Sequence, residues 1–135
     1  MVECNRNALG NCSEAEGANT TASGATSHAE GIDTEASGIS AHAEGSSTIA
    51  AGEASHAQGY RNHSIGGSSH AEGSTTQSIG LASHSEGYDT VAVGEASHAE
   101  GSGSQAIGTA HHMPKGFKLK QAVLFHMQRD LHQEL

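Results

Sequence analysis

From Ser13 onward, small residues alternate with polar ones in short runs, and each run meets a glycine. In Ser27-His28-Ala29-Glu30-Gly31 the serine and alanine fall on one parity and the histidine and glutamate on the other. Successive side chains of an extended strand point to opposite faces, so this run predicts a strand with a small inner face and a polar outer one. The same motif is complete at 69–73 and 97–101 and varied at 13–17, 41–45, 55–59 and 83–87. Between these runs lie shorter ones that end in a small or β-branched pair before glycine, such as Thr90-Val91-Ala92-Val93-Gly94 and Gln105-Ala106-Ile107-Gly108.

The glycines that punctuate the runs fall on one seven-residue lattice: Gly10, Gly17, Gly24, Gly31, Gly38, Gly45, Gly52, Gly59, Gly66, Gly73, Gly80, Gly87, Gly94, Gly101 and Gly108. Because alternate glycines close different runs, the true period is fourteen residues, with seven such units between Gly10 and Gly108. A fixed period of this kind is the mark of a solenoid. Collagen needs glycine at every third position and abundant proline, whereas Pro114 is the only proline here. A coiled coil would place apolar residues, not helix-weakening glycines, on its seven-residue seam. Disorder gives no reason to hold glycines in phase over a hundred residues. The expectation is an all-β parallel roll of about seven coils, with a bend at each glycine, where a positive φ or a close approach excludes larger residues.

Two columns of small residues would line its interior. One is Ala15, Ala29, Ala43, Ala57, Ala71, Ser85 and Ala99; the other is Ala22, Ala36, Ala50, Ser64, Ser78, Ala92 and Ala106. A buried methyl contributes about 0.8 kcal/mol, while ordering one residue's backbone costs about 1–2 kcal/mol. Such a core predicts that larger apolar groups are buried elsewhere. Leu9, Ile65, Ile79, Val93 and Ile107 stand beside the second glycine of each unit on the outward parity, joined by Ile49 and Val91 two places earlier in their strands. An exposed apolar stripe implies a partner surface, and a closed homo-oligomer is the simplest cover, since every copy carries the stripe. Ser23, Ser37 and Ala51 weaken it toward the amino end.

These paired motifs, Ser-His-Ala-Glu-Gly with Val-Ala-Val-Gly or Gln-Ala-Ile-Gly, resemble the head repeats of YadA-like trimeric autotransporter adhesins and related repeats of phage tail and surface proteins. The resemblance spans residues 4–110, about four fifths of the chain. It implies a left-handed parallel β-roll of fourteen residues per coil, a homotrimer with a shared apolar centre, and an adhesive or structural fibre part without an active site. It further implies a cell-surface, extracellular or virion-fibre location and a protein or glycan ligand. No stalk heptads, membrane-anchor strands or neck sequence of that family can be matched.

Charge supports this reading. The chain carries a formal −9, and residues 1–110 hold only Arg6 and Arg61 against thirteen acids. An acidic rod argues against nucleic acid as a partner. The amino-terminal segment lacks the cationic and apolar pattern of a signal peptide, and no apolar run is long enough to span a bilayer. Cys4 and Cys12 are too few for a disulfide framework; a bridge capping the rod and two free thiols are both open. Apart from Arg6, two residues from Cys4, no basic group stands near either as a reactive thiolate would need.

His28, His42, His56, His70, His84 and His98 recur at the fourteen-residue period, as do Glu30, Glu44, Glu72, Glu86 and Glu100. In a roll these become parallel columns with neighbours about 4.8 Å apart. Histidine with carboxylate is a zinc or copper donor set, but a row does not converge as a dedicated site must. The expectation is a structural ladder with no cofactor, metal binding being the lesser alternative. Close stacking should also make the ladder weaken in mild acid. Thr20, Thr34, Thr48, Thr76 and Thr90 form a further column; displayed on a flat face it would suit an ice-binding protein, although Asn62 and Ser104 interrupt it. No phosphate loop or nucleophile constellation stands apart from the repeat, so no enzyme activity is expected.

The lattice divides the chain into a roll over 1–110 and an appendage over 111–135. In the latter, Val123, Met127, Leu131 and Leu135 are four apart and Phe117, Leu124 and Leu131 seven apart, which predicts a short amphipathic helix. It would cap the roll or begin a stalk.

Overall fold

A computed structural model describes residues 4–108, and these form a solenoid of two parallel sheets. Each fourteen-residue unit supplies one long and one short strand. The long ones are β2 (Glu14–Ala18), β4 (His28–Ile32), β6 (His42–Ser46), β8 (His56–Tyr60), β10 (His70–Ser74), β12 (His84–Tyr88) and β14 (His98–Ser102). The short ones are β1 (Arg6–Ala8), β3 (Thr20–Ala22), β5 (Glu35–Ala36), β7 (Ile49–Ala50), β9 (His63–Ser64), β11 (Gln77–Ser78), β13 (Val91–Ala92) and β15 (Gln105–Ala106). Even-numbered strands make one sheet and odd-numbered strands the other, each strand pairing in register with the residue fourteen places on, as His70↔His84 and Gly73↔Gly87. The helix expected over 111–135, the division at 110 and the fit of that segment as a cap lie outside the described residues.

The alternation expected from the sequence is observed. In each described long strand after the first, the alanine or serine that follows the ladder residue is fully buried, and Ala22, Ala36, Ala50, Ala92 and Ala106 of the short strands are buried opposite. Two further columns complete the interior. Ser27, Ala41, Ser55, Ser69, Ser83 and Ser97 are almost wholly buried before the long strands, and Thr20, Thr34, Thr48, Asn62, Thr76, Thr90 and Ser104 at or before the short ones. The threonine column is therefore interior, not displayed, and does not form an ice-matching face. Two of its hydroxyls are bonded within the core: Thr48 and Thr90 donate to the carbonyls of Glu44 and Glu86, and Ser85 pairs with Thr90 at 2.8 Å. Asn62 substitutes by donating to the Gln58 and Gly73 carbonyls while its Oδ1 accepts from the Thr76 amide.

The expectation that every lattice glycine is the bend needs correction. Gly17, Gly31, Gly45, Gly59, Gly73, Gly87 and Gly101 lie inside the long strands. The residue in the left-handed helical conformation stands two places after a glycine, at Cys12, Asn19, Thr26, Asp33, Ser40 and so on to Ala96, with φ near +55°. Asn and Asp accept this conformation most readily after glycine, and Asn19, Asp33 and Asp89 use it. The corners remain hydrogen-bonded between coils: Asp33 N–H donates to the Ala18 carbonyl and Ser47 N–H to that of Ile32, both at 2.9 Å. Backbone pairing thus continues around the rod where strand pairing stops, satisfying groups that a loop would otherwise expose. Cys4 and Cys12 are exposed and free.

Candidate functional site

Two outer features carry chemistry beyond the fold. The first is the face of the long-strand sheet. In-register pairing turns the sequence period into a vertical stack: His28, His42, His56, His70, His84 and His98 have ring centroids 4.8–4.9 Å apart, with interplanar angles from 1° to 15°. The spacing equals that of neighbouring strands, so the backbone sets it. Beside each ring run the glutamates. His42 Nε2 lies 3.7 Å from Glu30 Oε1, His56 Nε2 lies 3.5 Å from Glu44 Oε1, and His84 Nε2 lies 4.0 Å from Glu72 Oε1. His42, His56, His84 and His98 thus reach back toward the carboxylate of the preceding coil, whereas His70, preceded by Gln58, faces Glu72 of its own coil at 3.8 Å. These separations are too long for hydrogen bonds, and the Nε2 atoms of His28, His42, His56, His70 and His84 are buried without a hydrogen-bond partner. Gln58 interrupts the acidic column and donates to Glu72 Oε2 at 2.6 Å.

Burial holds the pKa of His70 and of His84 below the ordinary value of 6.5. The neighbouring imidazoles, His56 for one and His70 and His98 for the other, add to the effect, against an opposing pull from Glu44 and Glu72 on His70 and from Glu86 and Glu72 on His84. A base whose folded pKa is depressed leaves the unfolded chain binding more protons, so stability falls as pH drops from about 6.5 through the folded value. The expected result is a lower thermal midpoint at pH 5.0 than at pH 7.5, read by circular dichroism. An unchanged or higher midpoint would show that the glutamate column fully offsets the charged stack.

The second feature is the apolar column. Leu9, Ile65, Ile79, Val93 and Ile107 are 71, 47, 38, 41 and 52% exposed, aligned at the ends of the short strands on the outward side. Ile49 and Val91 are half-buried on the outer face of the short-strand sheet, in register with Glu35, His63, Gln77 and Gln105. They are therefore separate apolar sites in a polar row and do not extend the column continuously. The sequence reading missed another pattern: Ile32, Tyr60 and Tyr88 are exposed at the ends of alternate long strands, while Ser46, Ser74 and Ser102 occupy the coils between and after them. The signal was a twenty-eight-residue alternation of large and small side chains within the fourteen-residue repeat. It spaces bulky groups two strands apart, and Arg61 lies over the Tyr60 ring at 5.2 Å.

Among the described residues no helix is long and apolar enough to cross a membrane. Comparison with protein-family models and with curated proteins gives no match to this chain.

Proposed function

We propose that this chain is a non-catalytic fibre head of the YadA-like kind, assembling as a homotrimer and serving attachment or display at a cell surface or on a virion. The observation that carries this reading is the aliphatic column on a roll whose interior, among the described residues, is built from alanine, serine, threonine, glycine and one asparagine, with no large apolar side chain. The interior yields little apolar burial per residue, while Ile65, Ile79, Val93 and Ile107 stand in consecutive coils with side chains turned outward. Identical columns on three chains converge on one axis and remove one another from water, the closed arrangement that self-complementary surfaces favour.

In this reading the ligand is an extracellular protein or glycan, recognised on the outer surface of the trimer, and nucleic acid is disfavoured by the acidic rod. A host adhesin and a phage or spore-surface fibre would use the same assembly. The test is the molar mass of the full chain by light scattering, with and without a chelator. A mass of three chains is expected in both; a monomer in both would remove the shared-core reading.

A further inference from the structure

We propose that the outer face of the long-strand sheet binds a divalent transition metal, with zinc the best-fitting ion, at Glu30, His42 and Glu44 and again at Glu72, His84 and Glu86. In each triad the ligand atoms lie within 4.8 Å of one another. Zinc bonds of about 2.0–2.2 Å in tetrahedral geometry place donors roughly 3.3–3.6 Å apart. The observed His42–Glu30 and His84–Glu72 separations, 3.7 and 4.0 Å, are close to that edge and beyond hydrogen-bond length. Small rotations of half-exposed glutamates close the remainder.

The donor atoms have the right availability. His42 Nε2 and His84 Nε2 are buried and lack a hydrogen-bond partner, yet each faces carboxylates. Imidazole nitrogen and carboxylate oxygen are both zinc ligands, and three of them leave a fourth tetrahedral position for water or a ligand atom. Charge points the same way: ionised glutamates aligned between coils repel one another, and a bound cation neutralises the pairs flanking His42 and His84. Two further triads are less suited. Glu14, Glu16 and His28 include two exposed glutamates at the end of the sheet, and Glu86, His98 and Glu100 must share Glu86 with the second site.

Gln58 makes the array discontinuous. It stands in the glutamate column between His56 and His70 and its amide is engaged with Glu72, so neither histidine gains a second carboxylate from that position. The metal sites are therefore set by individual residues within the ladder, and a single substitution should extend the array.

The test is zinc titration of the full chain by calorimetry at pH 7.5, with Cys4 and Cys12 alkylated in every sample, alongside cobalt absorption as a reporter of tetrahedral geometry. The double variant His42→Gln/His84→Gln should lose two ions per chain, each weakened at least tenfold, since even outer-shell changes weaken metal sites by that much. It should also lose the intense cobalt band. Gln58→Glu should add at least one zinc ion per chain. Glu14 already stands in the histidine column and Gln58 in the glutamate column without breaking register, so these variants are compatible with the coil, and far-UV dichroism checks that they fold. Equal zinc stoichiometry and affinity in the natural chain and the double variant would overturn the proposal, as would a natural chain that fails to bind zinc at hundred-micromolar concentration.

Discussion

Gly73→Ala is expected to abolish the cooperative fold or lower its stability by more than about 3 kcal/mol, a loss reserved for severe local conflict. A methyl built at Gly73 would sit 2.1 Å from the carbonyl oxygen of Gly87 and 2.9 Å from its amide nitrogen. Both contacts are backbone, and both belong to strands β10 and β12 paired along their whole length, so neither can yield without breaking the sheet. The backbone at Gly73 also has φ +108°, which side-chain-bearing residues rarely adopt. Conflict and strain act together, and the affected coil is in the middle of the rod. Gly103 supplies the control. Its φ is +65°, and a methyl there would meet nothing within 4 Å; Asn19 and Asp33 hold the equivalent corner. Gly103→Asn should therefore change stability by less than about 0.5 kcal/mol. Urea unfolding of the two variants against the natural chain decides the matter, and similar midpoints for all three would show that the glycine lattice is not a steric requirement.

That contrast explains what the sequence could reveal. Period and parity were enough to place Ala29 and Ala36 inside, His28 and Glu30 outside, and Ile79 and Val93 on the outward column, because strand side chains alternate strictly. Parity also places Thr20 with Ala22 on the inner face, where the threonine column lies. The corners were less legible. Their left-handed residues include Cys12, Thr26, Ser40, Ala54, Arg61 and Asp89, types with no shared side-chain chemistry. From Thr26 onward, what they share is the hydrogen bond from the corner amide to the preceding coil, such as Ala54 to Ile39 and Arg61 to Ser46. The glycines advertise themselves for a different reason. Half of the lattice needs positive φ, while Gly24, Gly38, Gly52 and Gly66 are required only because a methyl would fall about 2 Å from the next coil's glycine oxygen. The histidine–glutamate columns were visible as a repeat, but the separation of triads from the Gln58 interruption depends on distances across neighbouring coils. A one-dimensional motif does not contain those distances.

Ile79→Asp is expected to convert the proposed trimer to monomer, because it places a carboxylate at the middle of the aliphatic column. Ile79 is 38% exposed in one chain, flanked by Ile65 and Val93 in adjoining coils, so its own roll leaves much of the side chain for a partner to cover. Around a threefold axis the substitution would bring three carboxylates together in an apolar setting. Each buried charge without a partner carries a penalty of several kcal/mol, about 3 or more, and mutual repulsion adds to it. The roll of a single chain should tolerate the same change, since the side chain points away from the alanine and serine interior. Tyr88→Ser is the matched control: Tyr88 is 60% exposed on a different column, and Ser74 and Ser102 already occupy that column in the coils on either side. Sedimentation equilibrium should give a mass of three chains for the natural protein and for Tyr88→Ser, and of one chain for Ile79→Asp. If Ile79→Asp keeps the trimer while Tyr88→Ser loses it, association runs through the tyrosine column, and the aliphatic column must be covered by something other than a second copy of this chain.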